Sequence, residues 1–228
     1  MIEIKGLTKE YMVGKQVIKA ADSVSLTIEQ GAFVSIVGHS GSGKTTLLSL
    51  IGGLTRPDSG TVVIDGTDLW QVDDDNLSEL RSSKMNFIYQ FASLIPTLTA
   101  VDNVLLPSMF SKIKKTKADA EHLLDLVGLS DKTGAYPAEL SGGQQRRVAI
   151  ARSFLNDPRI ILADEPTGDL DEETEAEILQ LFKKMNQEHR VTFVLVTHNL
   201  SLAARTNKIY QMNNGKLTPF YHNPAMLP

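Results

Sequence analysis

The stretch VSIVGHSGSGKTTLLSLI constrains the fold more than any other part of this chain. A short apolar run leads into Gly38, four residues, Gly43, Lys44 and Thr45, and an apolar-periodic helical segment follows at once. A strand, a glycine loop and a helix in that order bring bare backbone N–H groups toward one point, where side chains would obstruct an anion. The positive end of the helix dipole adds to that attraction. Gly38, Ser40, Gly41, Ser42, Gly43 and Thr46 are therefore expected to cradle phosphate. Lys44 is expected to reach the β- and γ-phosphates, and the Thr45 hydroxyl to ligate Mg²⁺. His39, inside the loop, reads as a solvated side chain with no assigned role.

A nucleotide held this way needs a metal partner and a base. RIILADEPTGDLD supplies an apolar strand ending in Asp164, followed by Glu165. Asp164 is expected to hold Mg²⁺ through water, and Glu165 to orient or deprotonate the attacking water. Alone, such an acidic pair also reads as a polar turn. The phosphate loop upstream gives it a function.

The surroundings suit a layered domain. SVSLTIE alternates apolar with polar residues, and FVSIVG, TVVID, MNFIYQ, RIILAD and VTFVLV are short β-rich runs. Helical patterns separate them, clearest in EETEAEILQLFKKMNQEH, where Ile178, Leu181, Phe182 and Met185 share a face. The expectation is an α/β domain with a largely parallel sheet. Residues 91–140 read instead as an inserted helical subdomain, with helical patterns at 99–110 and 116–127. One domain over 1–228 then has its core in 1–90 and 141–218 and a proline-broken tail at 219–228. Composition allows this, with 42 % hydrophobic and 22 % charged residues. A net charge of −4 speaks against a nucleic-acid partner. The absence of cysteine excludes disulfides and thiolate metal sites. No apolar run has the length of a membrane span and MIEIKGLTKEY lacks a signal layout, so a soluble cytoplasmic chain is expected.

A second glycine pair, in LSGGQQRRVAIAR, poses a separate problem. Ser141 and Gln144 fit a capping box that opens a helix carrying Val148, Ala151, Phe154 and Leu155 inward. A cap leaves Gly142 and Gly143 unexplained, because each glycine within a helix costs about 1 kcal/mol relative to alanine. Ser141, Gly142, Gly143 and Gln144 therefore read as a second phosphate site. One chain cannot easily aim both sites at a single γ-phosphate, whereas two copies about a twofold axis can, each covering the other's ATP.

GHSGSGKT, the glutamine of FIYQ, LSGGQQRR, ILADEP, GDLD and the histidine of LVTH, in this order, resemble the ATPase subunits of ABC transporters over about residues 1–218. The resemblance implies a P-loop NTPase of ABC-ATPase type: a mixed β core, N-terminal antiparallel strands and an inserted helical subdomain. It implies ATP and Mg²⁺, with Lys44, Gln90, Glu165 and His198 as the catalytic set and Thr45, Gln90 and Asp164 around the metal. Tyr11 resembles the aromatic residue that stacks on adenine, though a loop tyrosine also serves packing. Gln90 resembles the glutamine that senses Mg²⁺ and the γ-phosphate, and His198 the histidine that contacts the γ-phosphate and attacking water. Asp171 matches an aspartate contacting the opposite subunit, and it also makes a good N-cap for a helix beginning at Glu172. His39 and Asp169 depart from the usual residues without removing a catalytic group, so hydrolysis is expected.

Wording and length resemble the bacterial branch serving lipoprotein release, macrolide efflux and cell division. That implies a homodimer working on a separate membrane permease, peripheral on the cytoplasmic face, with FASLIPTLTAVDNVLLPSMF as the docking surface. The alternative is a non-transport ABC ATPase acting in DNA repair or on ribosomes. The former would carry a long coiled coil before LSGGQ, and the latter two cassettes and a basic linker.

Overall fold

The computed structural model describes residues 1–111, 114–168 and 170–220. Asp169 and residues 221–228, most of the tail, lie outside them. The chain divides into two compact units, Met1–Leu77 with the segment from Thr192 onward, and Ser78–Val191.

The first unit opens with a long hairpin, β1 (Ile2–Val13) and β2 (Gln16–Ile28), whose register pairs Ile2 with Ile28 and Tyr11 with Ile18. The alternation read in SVSLTIE is realised: Val24, Leu26 and Ile28 are buried and the residues between them exposed. Next come β3 (Phe33–Val37), α1 (Lys44–Ile51), β4 (Ser59–Ile64) and β5 (Thr67–Asp68). The antiparallel sheet runs β2-β1-β4-β5. The helix α2 (Asp74–Lys84) leads out of this unit.

The second unit holds β6 (Met85–Ile88), α3 (Ala100–Leu105), a 3₁₀ turn at Leu106–Phe110, α4 (Lys117–Leu126), α5 (Gly142–Phe154), β7 (Ile160–Asp164) and α6 (Glu172–His189). The chain then returns to the first unit with β8 (Thr192–Thr197), α7 (Leu200–Ala203), β9 (Lys208–Asn213) and β10 (Lys216–Pro219). There β9, β3 and β8 are parallel neighbours, with β10 antiparallel on β9. Every residue of β3 and of β8 is buried, as expected of strands covered on both faces. Leu47, Leu48, Leu50 and Ile51 of α1 are buried as well, each worth about 1.5–3 kcal/mol of transfer free energy.

In the second unit β6 and β7 pair in parallel, and α5 packs against α3, α4 and β6. The predicted inward face of α5 is correct, since Val148, Ala151, Phe154 and Leu155 are all buried. On α6, Ile178, Leu181 and Phe182 are buried with Leu179, while Met185 is half-buried. Both helical patterns anticipated near 99–110 and 116–127 are present. The strands β1, β9 and β10 carry no clean alternation and were not distinguished by pattern. β10 closes a tight hairpin on β9 and stays mostly exposed, while β1 pairs with β2 next to it in sequence and with the more distant β4, and β9 with the distant β3.

Candidate nucleotide-binding site

The glycine loop runs from the end of β3 to the start of α1, as its sequence requires. Two of its glycines, Gly38 and Gly43, are demanded by the chain's own packing. Gly43 has φ 104°, and a Cβ built there would lie 1.9 Å from the Ala20 carbonyl oxygen of β2. A Cβ on Gly38 would lie 2.3 Å from the Met212 carbonyl oxygen of β9. The Gly215 N–H donates to the Ser42 carbonyl, so β2, β9 and the β9–β10 turn all press on the loop. Lys44 lies inward, 9 % exposed, with Nζ donating to the carbonyls of Gly38 (2.8 Å) and His39 (3.1 Å). Its ammonium is thus folded across the loop mouth. Ser42 Oγ is buried with no hydrogen-bond partner among the described residues, a hydroxyl that a phosphate oxygen would satisfy. Ser40, Gly41 and Thr45 are exposed and Thr46 half-buried. This cradle, with an unsatisfied donor and a lysine in it, fits a polyphosphate.

His198 stands beside the same loop. Val37 and Thr197 are register partners in the parallel β3–β8 pair, so Gly38 and His198 each begin where their strands end. Tyr11 lies in the same unit, near the tip of the β1–β2 hairpin, 42 % exposed, with the Lys9 ammonium 5.6 Å from its ring centroid.

The second unit gathers the other predicted groups. Ile88 and Ala163 are register partners, so Gln90 and Glu165 each sit two residues beyond paired positions of parallel strands. Gln90 is exposed in a bend after β6; it does not close the strand. Asp164 ends β7 at 9 % exposure, and Glu165 follows with φ 45°, a left-handed conformation that costs a non-glycine residue roughly 1–2 kcal/mol. That turn closes by the Gly168 N–H donating to the Glu165 carbonyl. The geometry thus turns the chain sharply just after the buried strand, at the acid.

Ser141 begins α5 with the expected reciprocal capping box: its Oγ accepts from the Gln144 N–H (3.2 Å), and the Gln144 side-chain oxygen accepts from the Ser141 N–H (2.9 Å). Gly143 is half-buried behind Gly142. A Cβ on Gly142 would meet nothing within 4 Å, and no positive φ requires glycine there. Nothing among the described residues calls for this glycine. Asp171 caps α6, accepting from the Thr174 N–H at 2.9 Å and its hydroxyl at 2.8 Å. Those bonds, the backbone one foremost, hold its carboxyl below the usual carboxylate range.

The two glycine-led helices share an electrostatic feature. The first turns of α2, α3, α4 and α6 all carry Asp or Glu, the usual complement to a helix N-terminus. The four-residue α7 carries none but has two of its N–H groups taken by the Asn199 side chain, and α1 and α5 carry none. Their N-terminal charge is left for an external anion.

Sequence reasoning missed the groups that support these sites. Asn103, fully buried, accepts from the Ile95 N–H and donates to the carbonyls of Ile95, Leu98 and Thr99, pinning the loop before α3. No pattern signalled it, since its partners are backbone atoms.

The glycine loop of the first unit has the features of a nucleoside-triphosphate site. The chain belongs to the ABC transporter family, whose pattern matches residues 21–168. Within it the chain is an ATP-binding ATPase, similar to the lipoprotein-releasing system ATP-binding protein LolD of Saccharophagus degradans, at 42 % identity over 219 residues, 95 % of this chain and 96 % of that protein. It is 41 % identical over 219 residues to the macrolide export ATP-binding/permease protein MacB of Rhodopirellula baltica, covering 94 % of this chain but only 32 % of MacB. Two solved structures of the ATP-binding cassette MJ0796, a protein of Methanocaldococcus jannaschii, superpose with TM-scores of 0.91 over 98 % of this chain and 100 % of theirs. One, at 41 % identity, is dimeric, and the other, at 40 %, is a dimeric post-hydrolysis state bound to ADP and Pi.

Proposed function

We propose that two copies of this chain close around two ATP molecules and drive a conformational change in a separate membrane permease. The observation that carries the dimer is Gly142: its site is open, its helix start lacks a carboxylate, and nothing among the described residues requires glycine there. The dimeric relatives support the same arrangement. In this reading the loop of Gly38 to Thr46 holds the phosphates and Lys44 swings onto the β/γ-oxygens. Ser141, Gly142, Gly143 and Gln144 close over the partner's γ-phosphate, and Asp171 contacts the opposite subunit. Tyr11 stacks on adenine. Mg²⁺, when bound, neutralises charge on the β- and γ-phosphates, and Thr45, Gln90 and Asp164 would hold it. Glu165 accepts the proton of the attacking water, and His198 orients that water and the γ-phosphate.

The permease part of MacB and the lipoprotein-releasing system of LolD support a permease partner, for export, lipoprotein release or mechanical transmission, and such a partner would hold this chain peripherally on the cytoplasmic face of a membrane. Among the described residues no helix is long and apolar enough to cross a membrane. Phe91, Met109 and Phe110 are 75 %, 69 % and 76 % exposed, while Ala100, Val101 and Val104 between them are core. The exposed three form the docking surface.

Mixing two variants tests the shared site. Gly142→Ala and Lys44→Ala homodimers each have both sites broken and should be nearly inactive. Their heterodimer has one site broken at both ends and one intact, so ATPase activity should return on mixing. An active Gly142→Ala homodimer would refute the arrangement.

A further inference from the structure

The helix that opens on Ser141 is bonded, further along, to the chain on both sides of Gln90. Arg146 of α5, 2 % exposed, donates through Nη1 to the Tyr89 carbonyl. Arg152, nearly two turns on, donates through Nη2 to the Ala92 carbonyl (2.9 Å) and through Nη1 to the Ser93 carbonyl (3.0 Å). Asn86 of β6 returns a bond to the Ser153 carbonyl at 2.9 Å. Gln90 thus lies in a short bend whose backbone is held at Tyr89 and again at Ala92 and Ser93, all to one helix. None of these bonds uses the glutamine side chain, which stays exposed.

The bend does not rest in its preferred conformation. Ser93 has φ 47°, in the left-handed region a serine seldom adopts, and its carbonyl is the one Arg152 takes. A planar guanidinium with a fixed fork of donors can hold two successive carbonyls at once, which a lysine ammonium does not reproduce. Arg146, buried, gains from each carbonyl it holds, because a buried charge needs hydrogen-bond partners in place of water.

We propose that Arg152, assisted by Arg146, is a positioning residue for Gln90. It carries displacement of the Ser141 end of α5 into the backbone of residues 89–93, so that engagement of a partner's nucleotide sets where the Gln90 amide lies. This rests on the proposed roles of Gln90 and of the Ser141–Gln144 segment.

A double-mutant cycle on the full chain tests it, with ATPase turnover, binding of a fluorescent ATP analogue and thermal melting as readouts. Arg152→Ala should lower kcat by about tenfold or more while analogue affinity stays within about twofold, because the loss falls on turnover and not on binding. Arg152→Lys should recover part of the rate. Arg147→Ala removes the same kind of bond from α5, to the carbonyls of Val127 (3.0 Å) and Gly128 (3.4 Å), and should keep kcat within about threefold. In a Gln90→Ala background, adding Arg152→Ala should cost less than about twofold more, since residues acting through one another are not additive. If Gln90→Ala is slow and Arg152→Ala slows it further by its full single-variant factor, the clamp is overturned and the role of Gln90 stands. If Gln90→Ala turns over at the parent rate, that role falls and the clamp with it. Should Arg152→Ala melt below the assay temperature, Arg152→Lys passes through the same cycle and decides by the same criteria.

Discussion

Two glycines with the same sequence signature have opposite physical reasons. Gly43 is held by its own chain, with a left-handed φ and the Ala20 carbonyl where a Cβ would go. Gly142 has open space around it. Gly43→Ala should therefore destabilise the protein by several kcal/mol, about what strain plus overpacking cause elsewhere, while Gly142→Ala leaves the melting temperature unchanged or slightly raised. Differential scanning calorimetry of the two variants checks this. Glu165 is a residue-scale case too, because its left-handed backbone persists at a position where glycine would be less strained. Strain retained beside a buried strand end suits a group kept for chemistry. Glu165→Gln should keep ATP binding and lower kcat by about 100-fold or more, since an amide fills the space without accepting a proton. Parent-rate hydrolysis by this variant would remove Glu165 as the base.

Helix starts explain much of what happens at the scale of elements. Asp119 in the capping box of α4 and Asp171 at the start of α6 have carboxyls held below the ordinary 3.8, chiefly by the backbone N–H groups of Thr116 and Thr174. A folded-state value below the unfolded one means that their contribution is present above the unfolded value and is lost as pH falls through the folded one. Urea midpoints should thus begin to drop near about pH 5 and go on falling as pH passes below 3.8, and Asp119→Asn should flatten that drop. An unchanged acid slope in Asp119→Asn would show that this carboxylate does not contribute. The segment from Phe91 to Phe110 mixes two tasks, with Asn103, Val101 and Val104 inside and Phe91, Met109 and Phe110 outside. Changing the exposed three to serine should leave melting and basal ATPase activity near the parent values. It should abolish stimulation by the cognate membrane chain in reconstituted vesicles, and unchanged stimulation would remove the docking role.

For the whole molecule, the decisive comparison is with relatives of different length. LolD is matched almost end to end and MacB over about a third of its length. A cassette of this size can therefore serve as a free-standing subunit in one relative and as part of a longer ATP-binding/permease chain in another. Affinity capture from detergent-solubilised membranes should bring down a multi-span membrane protein with this chain. DNA or ribosomes in its place would favour the non-transport alternative.

The glycine loop between β3 and α1 and the capped helix start at Ser141 were legible from residue order alone. The reason is local: an anion cradle is made of consecutive backbone N–H groups, so its requirements are written in adjacent positions. The helical face of α5 and the alternation of β2 were legible likewise, since periodicity is a property of one element. Tertiary structure decided what depends on residues far apart in sequence. It shows that Gly43 is demanded by Ala20 and Gly38 by Met212, whereas Gly142 answers to nothing among the described residues. It also shows Arg146 and Arg152 closing on carbonyls some sixty positions earlier, and Asn103 pinning a loop. Backbone carbonyls are the same for every residue type, so no sequence pattern marks which of them a side chain will find.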